Sequence, residues 1–83
     1  MQHIITVFGL GFVGLTTALG FAEKGHKVFG FDVDQERINI INSGRIPFYE
    51  PGLDTTLIRQ LNKNFTINGD PTEAVRQSEF VFL

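Results

Sequence analysis

The stretch Val7-Phe8-Gly9-Leu10-Gly11-Phe12-Val13-Gly14 constrains what this chain can fold into more than any other. The apolar run Ile4 to Phe8 leads into it, and a helical pattern leads out. Its glycines fall at G-x-G-x-x-G spacing, the dinucleotide-binding fingerprint. Gly9 permits a tight turn, Gly11 lets backbone approach a pyrophosphate, and Gly14 lets the helix pack close to the strand. Leu10, Phe12 and Val13 supply the intervening backbone and count with the glycines as candidate cofactor-binding positions. The helix start then turns unpaired N–H groups and the positive end of its dipole toward phosphate. Such spacing alone is weak, so the surrounding chain must decide.

With 83 residues, the chain has room for one small core. A complete dinucleotide-binding domain has two mononucleotide-binding halves and needs considerably more chain. Residues 1–83 therefore read as the N-terminal part of such a domain, the rest of it and a substrate domain being expected elsewhere in a larger protein. Lys and Arg total 7 against 9 Asp and Glu, without clustering, which argues against a nucleic-acid surface. The absence of cysteine excludes disulfides and thiol catalysis within these residues. Ile4 to Ala22 carries no charge and imitates a signal peptide or membrane span. No Lys or Arg precedes it, however, and Gly9, Gly11, Gly14 and Gly20 interrupt it. A soluble, cytoplasmic chain is expected.

Ile4-Ile5-Thr6-Val7-Phe8 suits a strand buried on both faces of a parallel sheet. Leu15, Ala18, Leu19 and Ala22 then recur at helical spacing, and Glu23-Lys24-Gly25 ends that helix. Gly20 inside it suggests close packing on the sheet. His26 reads as a surface residue with no partner to name. Lys27 to Phe31 forms a second strand ending at Asp32, close to the place, about 20 residues past the glycines, where the fingerprint has an acid. A carboxylate there can accept hydrogen bonds from both hydroxyls of the adenosine ribose and repels a 2′-phosphate. It therefore favours NAD over NADP. The plainer alternative is a carboxylate that merely ends a strand.

Asp34 looks like the N-cap of a helix over Gln35 to Asn42, with Ile38 and Ile41 inward. Arg37 lies in its first turn, where a cation opposes the dipole. That leaves two readings open, a solvated arginine or a group reaching the adenine or ribose. After Ser43-Gly44, the loop Arg45-Ile46-Pro47-Phe48-Tyr49-Glu50-Pro51-Gly52-Leu53 is fixed by two prolines and carries enough apolar material to pack against something. Asp54 is expected to cap a third helix with Leu57, Ile58 and Leu61 inward. Phe65-Thr66-Ile67 reads as a short strand. Asp70-Pro71-Thr72-Glu73 starts a brief helix to about Gln77, and Glu79 to Leu83 is a last apolar strand. Right-handed crossovers order these strands 3-2-1-4, an α/β Rossmann-type parallel sheet with flanking helices and an open edge at the fourth. Such an edge invites pairing with another chain.

The runs Gly9-Leu-Gly-Phe-Val-Gly-Leu-Thr-Thr-Ala, Gly25-His-Lys-Val and Phe31-Asp-Val-Asp, followed by Ile41-Asn-Ser-Gly-Arg-Ile-Pro-Phe-Tyr-Glu-Pro-Gly-Leu53, resemble the N-terminus of the nucleotide-sugar dehydrogenases, the UDP-glucose and GDP-mannose 6-dehydrogenase family. The resemblance covers essentially the whole chain, and its last segment is the most specific part. It implies an enzyme that oxidises a nucleotide-sugar C6 alcohol to the uronic acid with NAD and no metal. It also implies that Gly9 to Gly14 hold the pyrophosphate, and that Asp32 and Arg37 contact the adenosine ribose. A homo-oligomer and a nucleotide-sugar substrate bound through another domain are implied partners. The family's catalytic cysteine and lysine have no counterpart in these residues, so no catalytic residue is assigned and the 83 residues alone are expected to be inactive.

Two other readings compete. A non-catalytic nucleotide-sensing module also carries the Gly-rich turn and the acid, but has no need of the Pro47 to Leu53 loop. A hydroxyacid or hydroxyacyl dehydrogenase shares the fingerprint and diverges at the same loop.

Overall fold

Four parallel strands organise the chain, and a computed structural model describes all residues from 1 to 83. In order they and their helices are β1 (Ile4–Phe8), α1 (Phe12–Glu23), β2 (Lys27–Phe31), α2 (Gln35–Asn42), α3 (Leu53–Gln60), β3 (Phe65–Thr66), α4 (Pro71–Gln77) and β4 (Phe80–Phe82). The sheet runs β3-β2-β1-β4, all parallel, the order the crossovers predict. Ile4 stands opposite Lys27 and Phe8 opposite Phe31, so β1 and β2 finish level. The chain reverses its direction across the sheet between β1 and β4. That reversal is the switch point where open α/β sheets leave a crevice at the carboxyl ends of their strands.

Period-two alternation divides β1 between two layers. Ile5 and Val7 join the main core with Leu15, Ala18, Leu19 and Ala22, the expected inward stripe of α1. Thr6 is equally buried and faces the other way. Its hydroxyl meets Ser78 Oγ at 2.6 Å, and Ser78 Oγ donates in turn to the Ala74 carbonyl at 2.7 Å. A buried hydroxyl is costly without partners, and this relay satisfies it while tying β1 to α4. The far ends of the strands are laced similarly. Glu79 accepts from the Ile4 N–H at 3.3 Å and meets His3 Nδ1 at 3.0 Å.

Several expectations need correction. The cap of α3 is Gly52, in the left-handed region at φ 86°, not Asp54. Gly52 turns Leu53 into the first helical position and against the core, which leaves Asp54 in the first turn, where its charge suits the dipole. Ile58 is 67% exposed, because the inward line of α3 runs through Leu53, Leu57 and Gln60 and Ile58 is rotated off it. The third strand stops at Thr66, although Ile67 is still buried. Gly20 does not pack on the sheet: it is exposed, and a Cβ there would meet nothing within 4 Å. His26 does have a partner. Its Nδ1 accepts the His3 N–H at 3.0 Å, and the two rings lie 5.1 Å apart. No helix is long and apolar enough to cross a membrane.

Candidate cofactor site

The glycine turn sits at the carboxyl end of β1, beside the switch point. Gly9 adopts φ 94°, a conformation costly for any side-chain-bearing residue, and its N–H donates to the Phe31 carbonyl at 2.8 Å. A Cβ on Gly14 would overlap the Gly9 carbonyl oxygen, so α1 approaches the strand as closely as the motif predicts. Gly11 differs from both. Its φ of -69° is ordinary, and a Cβ there would meet no atom of the chain within 4 Å. Nothing in the chain's own packing calls for glycine at that position. Gly11 also caps α1 without a side-chain hydrogen bond, so no side chain covers the backbone N–H groups of the first turn from the cap.

Leu10 anchors the turn from beneath. It is wholly buried in the core, where the space comes from Gly30 of β2. A Cβ on Gly30 would lie 3.2 Å from Leu10 Cδ1 and 2.8 Å from Phe65 Cε1. Gly30 was not singled out from sequence. The signal for it is a glycine in the middle of an apolar strand, which marks close approach from another element.

Asp32 is bound to the same turn. Its Oδ2 accepts the Leu10 N–H at 2.7 Å and Arg37 Nη1 at 3.1 Å, and its Oδ1 accepts the Asp34 N–H at 2.8 Å. Its side chain is only 4% exposed. Burial pushes its carboxyl up, but the Asp34 and Leu10 N–H groups and the Arg37 guanidinium outweigh this and hold it below its ordinary value. Asp32 is therefore an ionised acceptor with most of its roughly four lone-pair sites already used. Three hydrogen bonds from within the chain leave about one acceptor position of Asp32 open while Arg37 keeps its place. Arg37 is thereby resolved as neither fully solvated nor free. Asp34 caps α2 as expected, accepting the Arg37 N–H at 3.2 Å, and this sets the turn from which Arg37 reaches back to Asp32.

Two concavities flank Gly9. One, of about 420 Å³, is lined by Phe8, Phe31, Asp32, Val33 and Pro71. The other, of about 330 Å³, runs between Val13, Gly14 and Thr17 of α1 and Phe82 beyond β1. The first concavity opens beside Asp32 and the second beside β4, so an elongated ligand spanning both would cross the turn at Gly9. Phosphate charge at the crossing would meet the bare start of α1. No group of three or more His, Cys, Asp or Glu side chains is placed to hold a metal ion. The loop after α2 packs as its composition suggests: Ile46, Phe48 and Leu53 lie against the core, while Tyr49 is 90% exposed.

Comparison with known proteins agrees with this geometry. Residues 3–83 match the model of the UDP-glucose/GDP-mannose dehydrogenase family, NAD binding domain. The chain is 39% identical over 80 residues to the UDP-glucose 6-dehydrogenase TuaD of Bacillus subtilis, covering 95% of this chain and 17% of that protein. It is 42% identical over 77 residues to the GDP-mannose 6-dehydrogenase of Pseudomonas putida, covering 90% of this chain and again 17% of the relative. Among solved structures, a UDP-glucose dehydrogenase from Pyrobaculum islandicum superimposes with a TM-score of 0.87 at 35% identity, over 98% of this chain and 19% of that one. The chain thus spans under a fifth of the length of these relatives. The turn, the parallel sheet and the family match together show that this chain belongs to the UDP-glucose/GDP-mannose dehydrogenase family of oxidoreductases, its Rossmann-type sheet matching that family's NAD-binding domain.

Proposed function

We propose that this chain holds NAD for an enzyme that oxidises the C6 alcohol of a nucleotide sugar to the uronic acid. The observation that carries the reading is Asp32, ionised, buried and hydrogen-bonded to the glycine turn itself. That bond links the ribose-facing end of the site to the phosphate-facing end. The backbone of Gly9, Leu10, Gly11, Phe12, Val13 and Gly14 is assigned to the pyrophosphate, and Asp32 with Arg37 to the adenosine ribose. The open space above Gly11 supports this, since close approach by a ligand explains a glycine that the chain's own packing does not require. NAD would supply the hydride acceptor. The residues present would bind and orient it, and the groups that act on the sugar would come from outside them. The nucleotide sugar, a homo-oligomeric assembly and a cytoplasmic location belong to the same proposal.

Calorimetric titration of the chain with NAD and with NADP tests it. Both should bind weakly, with NAD favoured about tenfold or more, as loss of a hydrogen bond to a charged group implies. Asp32→Gly should abolish that preference, because Arg37 is then free to receive a 2′-phosphate. Equal affinity of the unaltered chain for the two cofactors, or a preference for NADP, would overturn the role given to Asp32.

A further inference from the structure

The glycine turn is held on two sides by features already described: Leu10 is sunk in the core and bound to Asp32, and Gly14 abuts Gly9. Between them Gly11 has no side chain to restrain it, and glycine loses more backbone freedom on ordering than any other residue. The residue that follows it, Phe12, opens α1, and its N–H belongs to the unpaired first turn. Phe12 is 52% exposed and takes no part in the core cluster. Its ring nevertheless has a fixed neighbour. Phe48, from the loop between α2 and α3, meets it edge-on, with centroids 5.4 Å apart and planes at 70°.

Phe48 is well placed to hold something still. It packs against the core cluster, unlike its neighbour Tyr49. Pro47 and Pro51 stiffen its loop. Gly44 and Gly52 close that loop at either end in left-handed conformations, at φ 85° and 86°. A core-backed ring thus meets the first residue of a helix whose cap, Gly11, supplies no side-chain hydrogen bond. We propose that Phe48 is a positioning residue for the pyrophosphate: through the ring of Phe12 it fixes the aim of the backbone N–H groups at the start of α1. The inference rests on the cofactor reading above. It gives the apolar loop a task at the site, which its composition alone left unassigned.

Nuclear magnetic resonance titration of the 83-residue chain with NAD and, separately, with adenosine tests this, alongside thermal unfolding of each variant. Adenosine reports the Asp32 end without phosphate. Phe48→Ala should weaken NAD about threefold to tenfold, the worth of an aromatic edge contact, while adenosine affinity stays within about twofold on the same scale. Phe48→Tyr, which keeps the ring, should restore NAD binding. Phe12→Ala should weaken NAD similarly, and adding Phe48→Ala to it should cost little more, because the two act as one contact. If Phe48→Ala fails to fold, Phe48→Leu retains bulk without the aromatic edge and carries the test. Equal loss for NAD and adenosine, unchanged NAD affinity, or additive losses in the double variant would each overturn the inference. An unaltered chain that gives no NAD-induced shifts defeats the cofactor reading, and this inference with it. Binding of NAD that the Phe48 variants leave intact defeats the inference alone.

Discussion

Glycines that look alike in the sequence do different things at the residue scale, and substitution separates them. Gly14→Ala drives a Cβ into the Gly9 carbonyl, a backbone atom that cannot step aside. A loss of about 2–3 kcal/mol is expected, lowering Tm by more than about 10 °C in a chain of this size. Gly20→Ala meets nothing and lies in an exposed helix interior. It should stabilise the chain by up to about 1 kcal/mol, the difference in helix propensity. Thermal unfolding of the two variants checks both, and a tolerated Gly14→Ala would mean that α1 can draw back from β1. The tight turn at Gly9 and the close approach at Gly14 were legible from spacing alone, because both follow from local backbone. Spacing misjudged Gly20, whose surroundings depend on how α1 is rotated on the sheet. The same limit applies to Asp32. An acid at the end of the second strand was legible in the sequence, but its bond to the Leu10 N–H was not, since that depends on β1 and β2 finishing level.

At the scale of elements, α1 and α3 are joined by a polar clasp that sequence order conceals. Glu23, near the end of α1, accepts from Arg59 Nη2 at 2.6 Å and Arg59 Nε at 3.0 Å, and from Gln60 Nε2. Hydrogen bonding by Arg59 and then Gln60 lowers the Glu23 carboxyl to about 2 from its ordinary 4.5. The folded form therefore binds this proton less readily than the unfolded form, so the clasp contributes its full stability above about pH 4.5 and loses it as pH falls toward 2. Glu79, held low by His3, and Asp32 titrate in the same direction. Glu23→Gln isolates one contribution. It should lower Tm by a few degrees at pH 6 and by almost nothing at pH 2, in unfolding monitored by circular dichroism. A deficit that persists unchanged at pH 2 would show that packing, not charge, joins the helices there. The boundaries of α1, β2 and α2 were readable from periodicity and caps. The start of α3 was not, because Asp54 and Gly52 are both acceptable caps in isolation. What selects Gly52 is the burial of Leu53, a tertiary contact.

At the scale of all 83 residues the sheet has two edges of unequal character. At one, β3 is two residues long, which offers little ladder to a partner. At the other, β4 is hydrogen-bonded to β1 on one side only, and Phe80, Val81, Phe82 and Leu83 are all exposed. Phe80, Val81 and Phe82 are already more than half buried, so covering what remains of the four side chains contributes less than the about 1.5–3 kcal/mol each of complete burial, before the cost of association. Two copies can satisfy each other by laying β4 against β4 across a two-fold axis, an antiparallel pairing that closes and needs no third copy. The isolated chain is therefore expected to self-associate through this edge. Size-exclusion chromatography with light scattering should show mass rising above 9.3 kDa with concentration. Val81→Lys should return it toward the monomer, because a lysine on an exposed edge strand opposes pairing with a second copy. The cofactor site gives a second readout. Phe82 lines the concavity beside Gly14, so pairing along β4 should weaken NAD binding as concentration rises. A chain that stays monomeric at every concentration would mean that β4 is stable as an open edge, and the expected pairing would have to be abandoned.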